Sequence, residues 1–130
     1  DIAINKGLQL HIELLEQADV TVDKALFEKV ISNLIGNAIK YTPDNGSVWI
    51  RIFREGGNII FSVENESENI PEAEIPQLFD AFYRRDKSRS RKTGGSGLGL
   101  YIVKMILELH GFAYRFYNTE HGVAIKIIFS

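Results

Sequence analysis

The stretch of sequence that decides the fold is Asp23-Lys-Ala-Leu-Phe-Glu-Lys-Val-Ile-Ser-Asn-Leu-Ile-Gly-Asn-Ala-Ile-Lys-Tyr-Thr42. Asp23 is typical of a helix N-cap, and the residues from Lys24 to about Ile39 predict a helix. At about 100° per residue its apolar side chains cover a wide arc, so we expect the helix to be mostly buried. The apolar arc consists of Phe27, Val30, Ile31, Leu34, Ile35, Ala38 and Ile39.

A polar stripe runs along the rest of this helix. Asn33, Asn37 and Lys40 are spaced at i, i+4 and i+7, so they share one face. Asparagine is a poor helix former because its amide competes for backbone hydrogen bonds. One interpretation is a ligand such as magnesium-bound phosphate, since an amide oxygen can ligate a hard cation and an ammonium group can neutralise phosphate. The other is a solvated polar face, and the helix alone does not decide between them.

The segments around the helix predict a two-layer α/β sandwich. Strands are predicted over Leu8–Leu15, Asp19–Val22, Val48–Phe53, Asn58–Val63, Ala113–Tyr117 and Val123–Phe129. Helices are predicted over Glu72–Phe79, opened by Pro71, and over Leu98–Leu109, stopped by His110-Gly111. Glu55-Gly56-Gly57 and Asn118–Gly122 are typical of turns, so several strands are joined as hairpins. This pattern favours one mixed sheet with helices covering one face.

The composition is that of one ordinary globular domain over residues 1–130. With 45% hydrophobic and 25% charged residues, a chain of 130 residues can bury one sizeable core. The net charge of −2 gives no reason to expect a nucleic-acid or membrane partner. The absence of cysteine excludes disulfides and thiolate metal sites. We find no apolar run that could cross a bilayer and no signal-peptide layout, and the start at Asp1 suggests a piece of a longer protein.

A glycine-rich segment lies immediately before the last predicted helix. Thr93-Gly-Gly-Ser-Gly-Leu-Gly-Leu-Tyr101 places four glycines within six residues. Glycines let backbone N–H groups approach an anion, and the helix N-terminus adds a favourable partial charge, so the segment predicts a phosphate cradle. It is neither a P-loop nor a dinucleotide fingerprint, because no Gly-Lys-Ser/Thr follows and no strand leads into it. The run Arg84–Lys92, in a predicted loop over Arg84–Gly97, holds six basic residues against one acidic residue, which suits a polyphosphate or a solvated face.

Three segments resemble motifs of one family, the sensor histidine kinases. Asn33–Thr42 resembles their N box, Leu78–Arg84 their F box and Gly94–Gly99 their G2 box, in the family's order and with similar spacing. The resemblance covers essentially the whole chain and implies the Bergerat ATP-binding fold shared with gyrase, Hsp90 and MutL-type ATPases. It also implies an enzyme, an ATP-dependent protein-histidine kinase. Such a domain binds Mg-ATP and transfers the γ-phosphoryl group to a histidine on a separate dimerisation hairpin.

The resemblance further implies a set of site residues. The implied catalytic residues are Asn37, Lys40 and Arg84, with Asn37 also the magnesium ligand. The implied nucleotide-binding residues are Asn33, Asn37, Lys40, Tyr41, Asn65, Ile70, Phe79, Arg84, Gly95, Gly97, Leu98 and Gly99. The segment from Arg84 to Gly95 would be a lid that orders on nucleotide binding, anchored on the core by Phe79 and Phe82.

One motif departs from the family. Where the family's G1 box has Asp-x-Gly-x-Gly-Ile/Val, this chain has Asn65-Glu-Ser67-Glu-Asn69-Ile70. The family's Asp accepts a hydrogen bond from the adenine amino group, and the uncharged amide of Asn65 should accept a weaker one. Ser67 and Asn69 would add side chains where the backbone passes close to the base. Asn at this position also resembles the vancomycin-resistance-type sensors.

Two further observations bear on the chemistry. ATP-hydrolysing relatives have a Glu one turn before the first Asn of the N box, whereas this chain has Lys29 there, and Glu28 falls roughly 100° round the helix. The missing general base favours transfer to a protein nucleophile over hydrolysis. His11, His110 and His121 do not fit the family's phosphoacceptor motif, so the acceptor would lie outside this chain.

The resemblance also implies partners, and two alternatives stay open. The implied partners are ATP or ADP, the protein's own dimerisation and histidine-phosphotransfer domain, and a cognate response regulator. The domain would be the cytoplasmic part of a membrane-anchored sensor, without touching the membrane itself.

One alternative function is a degenerate binding module, which the intact N, F and G2 boxes oppose. The other is an anti-sigma-factor serine kinase, opposed by the F box and basic loop, or a hydrolase, opposed by Lys29.

Overall fold

A computed structural model of the chain describes residues 2–83 and 97–129. Five strands form one sheet in the order β1-β2-β3-β5-β4. The strands are β1 (Gln9–Glu13), β2 (Ser47–Glu55), β3 (Asn58–Glu66), β4 (Ala113–Asn118) and β5 (Gly122–Phe129). The helices are α1 (Ile2–Lys6), α2 (Lys24–Tyr41), a 3₁₀ helix (Glu72–Phe79) and α3 (Gly99–His110).

The sheet is mixed because its strands are connected in two ways. β2 and β3 form a tight antiparallel hairpin, as do β4 and β5, and β3 pairs antiparallel with β5. β1 instead pairs parallel with β2, which requires a crossover connection, and α2 supplies it. α2 therefore crosses the sheet and leads directly to the central strands.

The two long helices, α2 and α3, pack on one face of the sheet. Alternate residues of the central strands point to this face and meet the buried arc of α2 and the apolar side of α3. The core they form includes Phe27, Val30, Leu34, Ala38, Val48, Ile50, Phe61, Val63, Val103, Ile106, Leu107, Ile125 and Ile127. The predicted two-layer α/β sandwich, with a mixed sheet and helices on one face, is confirmed.

The start of α2 and the end of α3 are fixed by capping residues. Asp23 caps α2 by accepting a hydrogen bond from the backbone N–H of Leu26 at 2.9 Å, as predicted. His110 links the two helices, since its Nδ1 atom bonds the Ile106 carbonyl and its Nε2 atom accepts from the Asp23 N–H at 3.0 Å. Gly111 ends α3 in the left-handed conformation at φ 74°, as expected of a C-cap glycine.

The structure differs from the sequence-based expectations in four places. The strand predicted over Asp19–Val22 is wrong, because these residues pair with no strand of the described chain. The strand predicted over Leu8–Leu15 is shorter, ending at Glu13 on the exposed edge of the sheet. Glu72–Phe79 is a 3₁₀ helix that contains Pro76, which lacks the N–H of an α-helical interior. α1 has no counterpart among the predicted elements, since five residues are too few to show a periodic pattern.

No helix within the described ranges has the length and apolar character that crossing a membrane requires.

Candidate functional site

A pocket of about 790 Å³ opens between α2, the start of α3 and the loop that follows β3. Its floor is apolar and is made by residues of α2, β3 and β5, among them Leu34, Ala38, Val63 and Ile125. Polar groups lie at its two ends. The predicted site residues that line it are Asn33, Asn37, Lys40, Tyr41, Asn65, Ile70, Gly97, Leu98 and Gly99. A largely apolar pocket with a few convergent polar groups is the usual form of a small-molecule site.

The polar stripe of α2 faces the pocket. Asn33 lies across from α3, and its Nδ2 atom donates to the Gly99 carbonyl at 3.4 Å. Asn37 lies beside the same glycine. A Cβ atom placed on Gly99 would be 3.6 Å from the Nδ2 atom of Asn37. Of the two interpretations of the stripe, the structure excludes a face directed only at solvent.

The last turn of α2 continues the wall. Lys40 and Tyr41 both line the pocket, and the Lys40 ammonium lies 5.5 Å from the centre of the Tyr41 ring. Tyr41 is 43% exposed. This turn brings one positive charge and one aromatic face to the end of the pocket that also holds the amides.

The start of α3 completes this end. Gly97, Leu98 and Gly99 line the pocket, and no side chain of the described residues caps the helix at Leu98. The first N–H groups of a helix have no partner within it and carry a partial positive charge, which suits an anion. Gly97 adopts φ 79° and packs so tightly on Phe82 that a Cβ atom would lie 2.7 Å from the Phe82 Cα atom. We call the amides of α2, Lys40 and the start of α3 the phosphate end.

The opposite end of the pocket is formed by the segment Asn65–Ile70, which we call the base end. Asn65 is only 7% exposed, at the end of β3. Its Nδ2 atom donates to the Glu66 carbonyl at 3.3 Å, which leaves the Oδ1 atom as the acceptor available to a ligand. Ser67, Glu68 and Ile70 also line the pocket.

Asn69 does not crowd the pocket, contrary to the sequence-based expectation. Its Nδ2 atom donates to the carbonyls of Thr119 and Gly122, at 3.0 and 2.8 Å, so the side chain points into the β4–β5 turn. Asn118, the last residue of β4, bonds both the N–H and the carbonyl of Ile70, at 2.8 and 2.7 Å. Neither Ser67 nor Asn69 has a positive φ, so the segment follows a path that needs no glycine at these positions.

Among the described residues, one predicted site residue does not line the pocket. Phe79 is 8% exposed and packs in the core against Tyr114 and Phe116, with ring centres 5.4 and 6.3 Å away. It supports the site from behind rather than lining it. Arg84 and Gly95, like the rest of the predicted lid, lie outside the described residues. The core anchor predicted for Phe82 is wrong, since its side chain is 71% exposed.

Sequence reasoning missed several residues that line the pocket. Pro43, Glu68, Leu78 and Tyr83 are the clearest of these. Tyr83 is held by a hydrogen bond from its hydroxyl group to the Glu74 carboxylate. Leu78 and Tyr83 both lie within the F-box segment, Leu78–Arg84, which is the signal that could have found them, although an apolar side chain such as Leu78 alone does not separate a pocket wall from the core.

Glu28, Lys29 and the three histidines lie away from the pocket. Glu28 and Lys29 are exposed on the outer side of α2 and do not line the pocket. His110 bonds backbone groups through both nitrogens. His11 and His121 both stack on the Trp49 ring, with ring centres 5.5 and 4.9 Å away. These contacts give each histidine a structural partner away from the pocket.

Comparison with known proteins identifies the family. A family model described as histidine kinase-, DNA gyrase B-, and HSP90-like ATPase matches residues 22–129. The chain belongs to this family. The pocket lies entirely within the matched residues.

Relatives within the family are sensor histidine kinases. The circadian input-output histidine kinase CikA of Synechococcus elongatus is 41% identical over 105 residues, covering 80% of this chain and 14% of CikA. The sensor histidine kinase CusS of Escherichia coli O6:H1 is 37% identical over 127 residues, covering 98% of this chain and 26% of CusS. The solved structure of the mycobacterial sensor histidine kinase MprB has a TM-score of 0.85 at 26% identity, covering 98% of this chain and 87% of that chain.

These matches confirm the predicted histidine kinase ATPase family and Bergerat fold. The chain spans no more than about a quarter of CikA or CusS, at 14% and 26% of their lengths. It therefore aligns with one part of each of these two proteins. The resemblance to vancomycin-resistance-type sensors stays a prediction.

Proposed function

We propose that the chain, as one domain over residues 1–130, binds Mg-ATP in this pocket and gives the γ-phosphoryl group to a histidine on the dimerisation hairpin of its own sensor kinase. The observation that carries the proposal is that groups from distant parts of the sequence converge on one pocket. Asn33 and the backbone of Gly99, 66 positions apart in the sequence, meet at one end of a single pocket, with Asn37 beside them. Amides, an ammonium group and a helix N-terminus together form a site for a metal-bound polyphosphate.

Magnesium fits the donor set at the phosphate end. Within the described ranges no hydrogen bond occupies the amide oxygen of Asn37, and a neutral oxygen donor suits this hard cation. The same ranges hold no cluster of three or more histidine, cysteine or carboxylate side chains. Asn37 would therefore hold Mg²⁺ that arrives with nucleotide phosphates, as Mg²⁺ usually binds in such sites. When bound, the ion neutralises charge on the phosphates.

The base end suits an adenine ring. Ile70 and the apolar floor would cover the faces of the ring, while the Oδ1 atom of Asn65 would accept a hydrogen bond from the 6-amino group. Asn65 would have to turn its amide over, and lose its bond to the Glu66 carbonyl, to accommodate the 6-keto group of guanine. The base end would therefore prefer adenine by roughly the value of one neutral hydrogen bond, about 1 kcal/mol.

The positions of the carboxylates favour transfer of the γ-phosphoryl group to a protein over hydrolysis of ATP. Glu68 is the one carboxylate among the described residues that line the pocket, and it belongs to the base end. Glu28 is exposed on the far side of α2. With no general base beside the phosphates among the described residues, the side chains position the γ-phosphoryl group for a nucleophile that another part of the protein supplies. Lys40 and Arg84 would offset its charge.

The partners follow from the same proposal. ATP enters and ADP leaves the pocket, the dimerisation and histidine-phosphotransfer domain accepts the phosphoryl group, and a response regulator receives it afterwards. The domain would work in the cytoplasm, as part of a membrane-anchored sensor. No nucleic acid and no direct membrane contact are involved.

Two measurements test the proposal. Calorimetric titration of the 130-residue chain with a non-hydrolysable ATP analogue should show one saturable, magnesium-dependent site. Mixing the chain with [γ-³²P]ATP and the separately purified hairpin of its own full-length protein should label the hairpin histidine. A hairpin with that histidine replaced by alanine is the matched control. Binding without label transfer would instead support a nucleotide-binding module that has lost catalysis, the alternative that Asn65 in place of an acidic residue favours.

A further inference from the structure

The last turn of α2 forms one wall of the pocket and is held from outside the pocket. Lys40 and Tyr41 line the pocket, and so does Pro43 in the loop that follows the helix. Backbone carbonyls in the last turn of a helix have no partner within that helix. The group that bonds them fixes the direction in which the pocket side chains leave the helix.

Lys6, the last residue of α1, is that group. Its Nζ atom donates to the carbonyl oxygens of Ile39 and Lys40, each at 3.0 Å. Both bonds are partly buried, and the ammonium lies at the negative end of the helix dipole. One side chain from a segment distant in sequence therefore closes the pocket end of α2.

The backbone around Lys6 is fastened to the next loop as well. The Lys6 carbonyl accepts a hydrogen bond from the N–H of Asn45 at 2.8 Å, and the N–H of Gln9 donates to the Gly46 carbonyl at 2.9 Å. α1 itself buries no residue, and its Ile2 and Ile4 side chains are 62% and 76% exposed. Polar contacts at Lys6, rather than burial of α1, connect this helix to the pocket wall.

We propose that Lys6 is a positioning residue for nucleotide binding, through which the segment before β1 acts on the pocket. This inference rests on the proposed function. Without the two bonds from Lys6, the last turn of α2 frays, and Lys40 and Tyr41 lose their fixed direction towards the ligand. Displacing α1 from α2 has the same consequence. Binding that needs the wall ordered then becomes weaker, because part of the binding energy is used to order it.

The test compares two ends of the same helix. Lys6→Met removes the charge and both bonds at the pocket end of α2, while Lys6→Arg keeps a donor and the charge. Asp23→Ala removes the N-cap at the opposite end, which destabilises the helix away from the pocket. Calorimetric titration of each 130-residue variant with a magnesium-bound, non-hydrolysable ATP analogue gives the affinity, and thermal unfolding gives the stability.

Lys6→Met should bind the analogue about threefold to tenfold more weakly than wild type, the usual size of such indirect couplings. Lys6→Arg should recover most of the affinity, and Asp23→Ala should stay within about twofold of wild type although it is less stable. Affinity unchanged in Lys6→Met, or reduced equally in Asp23→Ala, would overturn the inference. A purely structural role predicts that affinity follows stability in all three variants.

A second measurement does not depend on nucleotide binding. In ¹H–¹⁵N spectra of the nucleotide-free chain, Lys6→Met should shift the amide resonances of residues 39–46 and leave those of residues 24–30 unchanged. Unchanged resonances at Lys40 and Tyr41 would overturn the positioning role even if the wild-type chain bound no ATP. If the spectra shift as expected but wild type shows no saturable binding, the proposed function fails while the connection from Lys6 to the pocket wall stands.

Discussion

The phosphate end and the base end of the pocket are built by different means. The phosphate end uses side chains at fixed helical spacing, Asn33, Asn37 and Lys40, together with the start of α3. The base end uses residues 65–70, the end of β3 and the irregular segment that follows it, whose path is set by contacts with the β4–β5 hairpin. The first end carries the polar groups expected of the family, while the second departs from the family's sequence.

The difference shows how the residues of a motif can change while its backbone keeps its path. In the family, glycines let the backbone pass close to the base. Here Gly122, at the start of β5, lets that strand pack closely against the segment, since a Cβ atom there would lie 2.5 Å from the Ser67 nitrogen and closer still to the Asn65 carbonyl oxygen. Asn69 then holds the segment by bonding the β4–β5 turn. The comparison leads us to expect strong phosphate binding with modest base selectivity, and each end can be tested separately.

The largest effect is expected from Asn37→Ala at the phosphate end. Loss of an amide that contacts bound Mg²⁺ or phosphate should cost about 1.5–3 kcal/mol of binding, roughly tenfold or more in affinity. The fold should persist, because within the described chain the side chain of Asn37 makes no hydrogen bond. Calorimetry with and without magnesium measures the effect. Ser32→Ala, on the exposed side of the same helix, is the matched control and should bind as wild type.

The next effect concerns the close approach at the base end. In Gly122→Ala the added Cβ atom would overlap the backbone of Asn65 and Ser67, so the segment must move. We expect a loss of about 1–3 kcal/mol in the free energy of unfolding and weaker ATP binding. The control is Gly36→Ala on α2, where a Cβ atom meets nothing within 4 Å and should stabilise the helix by about 1 kcal/mol. Urea denaturation measures both, and equal stability of the two variants would contradict the account.

The smallest effect is expected from Asn65→Asp. A carboxylate accepts a stronger hydrogen bond from the adenine amino group, so affinity for ATP should rise about threefold to tenfold. The free energy of unfolding should fall by about 1 kcal/mol, because the bond to the Glu66 carbonyl is lost. Parallel titration with GTP provides the control, since a carboxylate repels the 6-keto group and the preference for ATP should widen. A variant that binds ATP no more tightly would show that Asn65 does not contact the base.

The phosphate end is easier to predict from the sequence than the base end, for a physical reason. Helical periodicity alone places Asn33, Asn37 and Lys40 on one face, and the pocket confirms that placement. Glycines before an apolar helix likewise indicate the start of α3. Both signals are local, because a regular helix fixes the direction of each side chain from its spacing alone.

The base end depends on contacts between distant segments, which spacing does not reveal. The bonds from Asn69 to the β4–β5 turn join residues about 50 positions apart, so the sequence suggests crowding where the structure shows support. The Lys6 contacts escape prediction for the same reason. The strand predicted over Asp19–Val22 fails because short alternation indicates a possible strand but supplies no partner for it.

The most direct test of the account is to map ATP onto the chain by ¹H–¹⁵N spectra during titration with a magnesium-bound, non-hydrolysable analogue. We predict saturable shifts concentrated at residues 33–41, 65–70 and 97–99, with the outer face of the sheet around Trp49 unchanged. Magnesium-bound tripolyphosphate, which has no base, should shift only the first and third groups. Shifts confined to other residues, or none at millimolar nucleotide in a folded chain, would contradict the assignment of this pocket as the ATP site.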